Sequence, residues 1–405
     1  FNFIERKELV DAFSTAADAK ELLMRFSVAA KTALIPGETI FFLDEIQECK
    51  EIVTQIKFLV EEGSYRYILS GSLLGIELKD VRSAPVGYLR IVDMFPMNLE
   101  EFFLANGLQQ TVIEQIREHF TSRVPVDTYV HEKLLQAFYL YLIIGGMPEA
   151  VSVYVETNDI RQVNLIHEKI IRLYKQDFTK YEQQFKLRLI EIYDAIPFEL
   201  SEKNKRFFIN HLGKNEVYDR IKNDFLWLKD AGVALPAYVV TEPKLPYRIS
   251  EKRNLFKLFL SDVGLLTSIY GSEVQMSILR RDSNINNGGL FENAAAQELV
   301  ANGFSLWYYN NKKQGEVDFM IERNGKALPI EIKSGKDYKK HSALNNLLSI
   351  EEYDIPEAFI FCDGNLEQKG QRVYYPVYML MCLAKPVKKE LIYQLDLAGL
   401  DVRPK

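Results

Sequence analysis

Apolar positions recur at helical spacing through residues 18–34, where Leu22, Leu23, Phe26, Ala30 and Leu34 share a face. Pro36-Gly37 breaks the pattern. The run Ile40-Phe41-Phe42-Leu43 then passes without a polar interruption into Asp44-Glu45. Such a run fits a strand buried in a parallel sheet, with its carboxylates emerging at the C-terminal end. A helix with Ile52, Ile56, Leu59 and Val60 on one face follows, and a second strand runs from Tyr65 into Ser70-Gly71-Ser72. With Phe1 to Glu5 read as a strand already under way, strand and helix alternate as in a parallel α/β sheet. Leu89 to Val92 reads as one more strand, leading to Phe95-Pro96-Met97.

From about residue 99 to residue 193 the periodicity is helical, interrupted at Gly145-Gly146-Met147-Pro148. The next stretch predicts a helix over 204–212, a turn at 213–215, a helix over 217–230 and a β-like Tyr238-Val239-Val240, which is the outline of a winged-helix module. A helix is expected over 257–270, and the polar, Gly-rich residues 284–289 mark a boundary. Beyond it the order is helix, three strands, helix, strand, a second α/β unit ending near Lys385. The expected segments are therefore 1–98, 99–199, 200–283, 284–385 and a tail, 386–405.

A chain of 405 residues is too long for one ordinary core, which agrees with several domains. Hydrophobic residues make up 47% and charged residues 26%, and the net charge is −6, so any contact with nucleic acid needs a local basic patch. No apolar run approaches the roughly 20 residues of a membrane span, and no membrane partner is expected. Cys49, Cys362 and Cys382 form no C-x-x-C pair, and the five His are scattered. That argues against structural zinc and disulfides and is compatible with a reducing cytoplasm.

Two groups of residues carry chemistry. In the first, Asp44 suits a Mg²⁺-positioning acid and Glu45 a water-activating acid for attack on a phosphate. Ser70, at the tip of the next strand, is placed to sense a γ-phosphate, with Ser72 its nearest competitor. The plainer alternative is an acidic pair that caps the strand and opens the following helix. Arg82 and Arg90 are available to approach phosphate in cis or across a subunit interface of a homo-oligomer, although ordinary surface positions are the preferred reading. No stretch matches G-x-x-x-x-G-K-[ST], the cradle that grips nucleotide phosphates, and the sequence begins at Phe1. An ATPase whose front segment lies outside this sequence is the expectation.

In the second group, Glu292 lies on a helix, Asp318 on a strand, and Glu331 and Lys333 on the next strand, in the order E…D…(12 residues)…E-x-K. Period-2 geometry puts Glu331 and Lys333 on one face, and an Asn324-Gly325 hairpin brings Asp318 beside them. Three carboxylates make a hard oxygen site for Mg²⁺ or Mn²⁺, and the lysine can orient water. Lys312, Lys313, Lys336, Lys339 and Lys340 form a basic rim; an ordinary charged surface is the alternative. The winged-helix outline carries Lys203, Lys205, Arg206, Lys214, Arg220 and Lys222, diluted by acids.

Phe41-Phe42-Leu43-Asp44-Glu45-Ile46-Gln47, Ile68-Leu69-Ser70-Gly71-Ser72-Leu73-Leu74-Gly75, Pro85-Val86-Gly87, Phe95-Pro96-Met97-Asn98-Leu99-Glu100-Glu101-Phe102 and Gly145-Gly146-Met147-Pro148 together resemble the AAA-type ATPases of bacteria and archaea that carry a C-terminal domain of unknown function. The resemblance implies a P-loop NTPase sheet lacking its first strand and Walker A loop in this sequence, ATP and Mg²⁺ as cofactors, and a helical lid with Gly146 and Pro148 near the base. Residues 289–365 resemble the PD-(D/E)xK nuclease superfamily, especially its Holliday-junction-resolvase-like branch. That implies a restriction-endonuclease-like α/β domain with Glu292, Asp318 and Glu331 as metal ligands and Lys333 assisting; some members keep the fold and do not cut. The expected function is ATP binding or hydrolysis coupled to binding or cleavage of nucleic acid, DNA in preference. The alternative is an ATP-switched interaction protein without nuclease activity.

Overall fold

The computed structural model describes residues 1–71, 87–178, 183–213, 216–282, 287–335 and 337–385. Near the N-terminus, β1 (Ile40–Leu43) and β2 (Arg66–Leu69) pair in parallel with Phe41 opposite Tyr67, and Asn2 forms a parallel bridge with Asp44. Helices Lys7–Ser14, Ala19–Ala29 and Lys50–Glu62 join these strands around one core. The second helix starts at Asp18, whose carboxylate accepts a hydrogen bond from Glu21 N. Phe41 and Leu43 pack inward with Phe3, Phe13, Phe26, Ile52, Ile56 and Leu59. Ile40 and Phe42 alternate with them and are about half exposed, as is Ile68 on β2. The apolar run is thus covered on one face among the described residues, not buried on both as its composition suggested. Residues 89–95 form no strand, and Ile91, Val92 and Met94 are exposed.

The second body is built on an eight-stranded mixed sheet. Its strands are β3 (Ala234–Val240), β4 (Glu251–Leu260), β5 (Trp307–Asn311), β6 (Gly315–Arg323), β7 (Lys326–Lys333), β8 (Ala358–Cys362), β9 (Glu367–Lys369) and β10 (Arg372–Pro376). They lie in the order β4-β3-β5-β6-β7-β8-β10-β9. The pairs β3–β5, β7–β8 and β8–β10 are parallel and the others antiparallel. Asn324 and Gly325 both take positive φ, 51° and 73°, and close the β6–β7 hairpin as a two-residue turn.

Three expectations change here. The β-like Tyr238-Val239-Val240, read as part of a separate winged-helix module, is the end of β3, which pairs with β4 and β5 inside this sheet. The boundary near 284 therefore does not divide the sheet. The helix expected over 257–270 is strand up to Leu260 and helix only over Val263–Tyr270; Phe256-Lys257-Leu258-Phe259-Leu260 pairs with β3 instead. The helix expected over 204–212 is a single 3₁₀ turn, Ile209–His211, while the helix Tyr218–Asp230 forms as expected.

The helices between Leu99 and Ser201 share one continuous hydrophobic core with the sheet. Phe120 of helix Gln110–Ser122 lies 4.4 Å, ring centre to ring centre, from Tyr375 of β10. A segment expected as a connector is thus packed against the domain it connects. Helix Gly288–Ala301 is buried along nearly its whole length. Among the described residues no helix is long and apolar enough to cross a membrane.

Candidate functional site

At the end of β1, Asp44 accepts two hydrogen bonds through its side chain. Ser70 Oγ donates to Oδ1, and Asn2 Nδ2 donates to Oδ2 at 2.9 Å. The parallel pairing of β1 and β2 causes the first contact: Ser70 N donates to Leu43 O at 3.0 Å, and Ile46 N donates to Ser70 O at 3.0 Å, so the two strand ends are stitched together. Glu45 sits at φ 55°, ψ 46°, a left-handed backbone that a non-glycine residue adopts at a cost of about 1–3 kcal/mol. Its carboxylate accepts a hydrogen bond from Gln47 Nε2 at 2.5 Å. Asp44, Glu45 and Ser70 thus form one group at the C-terminal end of a parallel pair. Ser72 and Arg82 lie outside the described residues, and Arg90 is exposed.

Gly146 and Pro148 belong to the other body. Gly146 N donates to Asp262 Oδ2 at 2.6 Å and Gly146 O accepts from Met97 N at 2.7 Å. A Cβ on Gly146 would strike the Met97 backbone, and one on Gly145 the Asp262 carboxylate. Pro148 is the first residue of helix Pro148–Thr157, where its missing N–H costs nothing. Among the described residues no hydrogen bond or ion pair joins Gly146 or Pro148 to Asp44, Glu45 or Ser70. The glycine pair serves a close backbone crossing, which explains its presence without a nucleotide.

The second constellation does assemble. Asp318 and Glu331 lie side by side across the β6–β7 hairpin, in register with the pair Phe319 and Ile330, and Asp318 Oδ2 accepts from Ile332 N at 2.9 Å. Lys333 Nζ lies 2.5 Å from Glu331 Oε2. Glu292 reaches the group from helix Gly288–Ala301.

What fills the group was not expected. Lys257 of β4 is completely buried, and its ammonium lies 3.0 Å from Glu292 Oε2, 2.8 Å from Glu316 Oε1 and 3.9 Å from Asp318 Oδ1. Lys205 takes the other Glu292 oxygen at 2.8 Å. Arg206 stands 3.9 Å from Glu316, which also accepts from Asn310 Nδ2 at 2.6 Å. The group therefore joins four carboxylates, Glu292, Glu316, Asp318 and Glu331, to four cations, Lys205, Arg206, Lys257 and Lys333.

The electrostatics follow. Burial alone raises the Glu292 carboxyl, but the Lys257 and Lys205 charges overcome it and bring it down to about 2. Glu331 goes the other way: burial first, then the charge of Asp318, pushes it up to about 8 despite Lys333. Burial and Glu292 raise Asp318. Burial disfavours the Lys257 ammonium, yet Glu292, Glu316 and Asp318 hold it charged, well above its ordinary value.

A divalent cation needs ionised oxygens with free lone pairs converging on one point. Here an ammonium occupies the convergence, and burial beside Asp318 disfavours the ionised form of Glu331. Among the described residues no three His, Cys, Asp or Glu side chains are set to hold a metal ion. The donor set does not fit the expected Mg²⁺ or Mn²⁺.

Sequence reasoning placed Lys257 in a helix and gave Glu316 no part in the site. A signal was there: a lone lysine inside an apolar strand-like run, since lysine is almost never fully buried without partners. The rim is also smaller than expected. Lys339 pairs with Glu367 at 2.8 Å and Lys340 with Asp337 at 3.0 Å, and Lys336 lies outside the described residues.

Residues 4–103 match a family described as AAA domain. Residues 135–275 and 287–380 match two families described as domains of unknown function, DUF8612 and DUF4143. No curated protein and no solved structure matches the chain. The AAA match supports an AAA-type ATPase with a P-loop nucleotide-binding fold for the N-terminal part of the chain, and with it nucleotide and Mg²⁺ use.

Proposed function

We propose that ATP chemistry at Asp44, Glu45 and Ser70 is coupled to a C-terminal α/β unit that engages nucleic acid without cutting it. The observation that carries the nucleotide half is the hydrogen bond from Ser70 to Asp44 at neighbouring strand ends, inside the segment that matches the AAA domain. Asp44 and Glu45 offer hard oxygen donors of the kind Mg²⁺ takes. Mg²⁺, when bound, neutralises phosphate charge. Asp44 would hold it, Glu45 would polarise the attacking water, and Ser70 would report the γ-phosphate back to β1. The test is ATP turnover by the protein as its cell makes it. Glu45→Gln should bind ATP and lose at least about 100-fold in turnover, the range of lost acid–base catalysis, and Ser70→Ala about 10-fold, the range of one lost hydrogen bond. Turnover unchanged in Glu45→Gln would sink this assignment.

A second reading, a Mg²⁺- or Mn²⁺-dependent nuclease of the PD-(D/E)xK type, draws on the meeting of Glu292, Asp318, Glu331 and Lys333. Lys257 in their midst favours the non-cutting reading. Plasmid incubated with either metal should stay intact with the natural protein and with Asp318→Asn. Nicking by the natural protein that disappears in Asp318→Asn would establish the nuclease instead.

A further inference from the structure

Beside the ion-pair group lies a cleft of about 630 Å³. Its cations come from three separate parts of the chain: Arg206 from the segment before helix Tyr218–Asp230, Lys252 from β4, and Lys312 and Lys313 from the β5–β6 turn. None of its lining residues is acidic. Lys252, Lys312 and Lys313 are exposed and make no ion pair with any described residue. Arg206 Nε is buried without a hydrogen-bond partner, and so is the acceptor Gln314 Oε1. The turn is built, not slack: Asn311 Oδ1 accepts from Lys313 N at 2.9 Å, and Gln314 O accepts from Asn346 Nδ2 at 3.1 Å.

Lys252, Lys312 and Lys313 repel one another at this cavity with no counter-charge among the described residues, and Arg206 meets Glu316 only at 3.9 Å. An anionic ligand removes that repulsion and supplies a partner for the orphaned Arg206 donor. Val239 and Leu255 give the lining apolar surface, and among the described residues no aromatic side chain lines the cleft. Stacked bases therefore have no platform here, while sugars can lie on the apolar surface and phosphates can reach the cations. The volume is in the range of small-ligand sites, which suits one strand and not a duplex.

We infer that this cleft holds the phosphodiester backbone of a single nucleic-acid strand, independently of its sequence. The inference rests on the reading that the C-terminal unit engages nucleic acid. It assigns the contact to Lys252, Lys312 and Lys313, with Arg206 shared between the cleft and the ion pairs next door.

The test is fluorescence anisotropy of a labelled 20-nucleotide DNA strand of mixed sequence with the full chain in EDTA, at about 50 to 200 mM salt, the range over which phosphate contacts are read. Lys312→Glu with Lys313→Glu should weaken binding at least 10-fold and lower the salt slope by about 1.4, two single-strand phosphate contacts at 0.7 each. Lys312→Arg with Lys313→Arg should bind as the natural protein does, and circular dichroism should show all variants folded. Inorganic tripolyphosphate at equal phosphate concentration should displace little of the strand, and a duplex of the same sequence should bind more weakly. Strand binding that survives both charge reversals overturns the cleft and leaves the nucleic-acid reading standing. No binding by the natural protein at 50 mM salt overturns both. Full displacement by tripolyphosphate, or tighter binding of the duplex, overturns the single-strand assignment.

Discussion

Lys257 shows how strongly one side chain can decide what a cluster of acids does. Its ammonium has no exposed surface, so its charge is tolerable only because Glu292 and Glu316 are within 3.0 Å. Lys257→Met removes that charge and strands the carboxylates. A loss of about 3–5 kcal/mol in urea unfolding is expected, the range for breaking a buried pair from one side. Adding Glu292→Gln should recover part of the loss, because the two sites are in contact and their effects do not add. Glu331 gives a pH signature. Its carboxyl, ordinarily near 4.5, is raised to about 8 by burial and by Asp318, so the fold favours the protonated form. That stabilisation is complete below about 4.5 and is lost as pH climbs through about 8. Glu292, pulled down to about 2, acts in the opposite sense and only in acid, outside this window. Thermal midpoints measured from pH 5 to 9 should therefore fall less steeply in Glu331→Gln than in the natural protein; parallel curves would refute the assignment.

At the scale of elements, helix Gly288–Ala301 acts as a polar spine inside an apolar body. Asn293 makes two hydrogen bonds to the Leu260 backbone, at 2.8 and 3.0 Å. Gln297 Oε1 accepts from Val263 N at 2.9 Å, and Glu298 accepts from Leu99 N at 2.9 Å. Each bond satisfies a backbone group at the end of a strand or the start of a helix, which would otherwise be buried without a partner. The Gly145–Gly146 crossing is the counterpart on the other side of Asp262. Gly146→Ala places a methyl against the Met97 backbone. We expect about 1–3 kcal/mol of lost stability in chemical denaturation, the usual cost of overpacking, with ATP turnover per folded molecule unchanged. A loss of ATP binding in folded Gly146→Ala would instead tie the crossing to the nucleotide.

At the scale of the molecule, the core of the N-terminal body, Phe3 to Leu59, shares no residue with the two cores of the second body, which run from Leu99 to Leu383 and from Val240 to Tyr374. Calorimetry should resolve two transitions, and Phe26→Ala, which empties part of the N-terminal core, should lower only one of them. The sequence by itself determined much of this. An uninterrupted apolar run located β1, period-3.6 spacing the helices after residue 99, and the Asn324-Gly325 turn the β6–β7 hairpin, because local sterics and burial are written into neighbouring positions. It likewise brought Asp44 to Ser70, and Asp318 to Glu331, since adjacent strands in short connections leave few registers. What only the tertiary structure decided is which long-range partner each buried group meets. Phe256 to Leu260 has the composition of either a helix or a strand, and pairing with β3 chose the strand. That choice delivered Lys257 into the midst of Glu292, Glu316 and Asp318, residues 35 to 61 positions away in the chain. A charge can be buried there only because those three acids converge, and convergence belongs to packing, not to spacing.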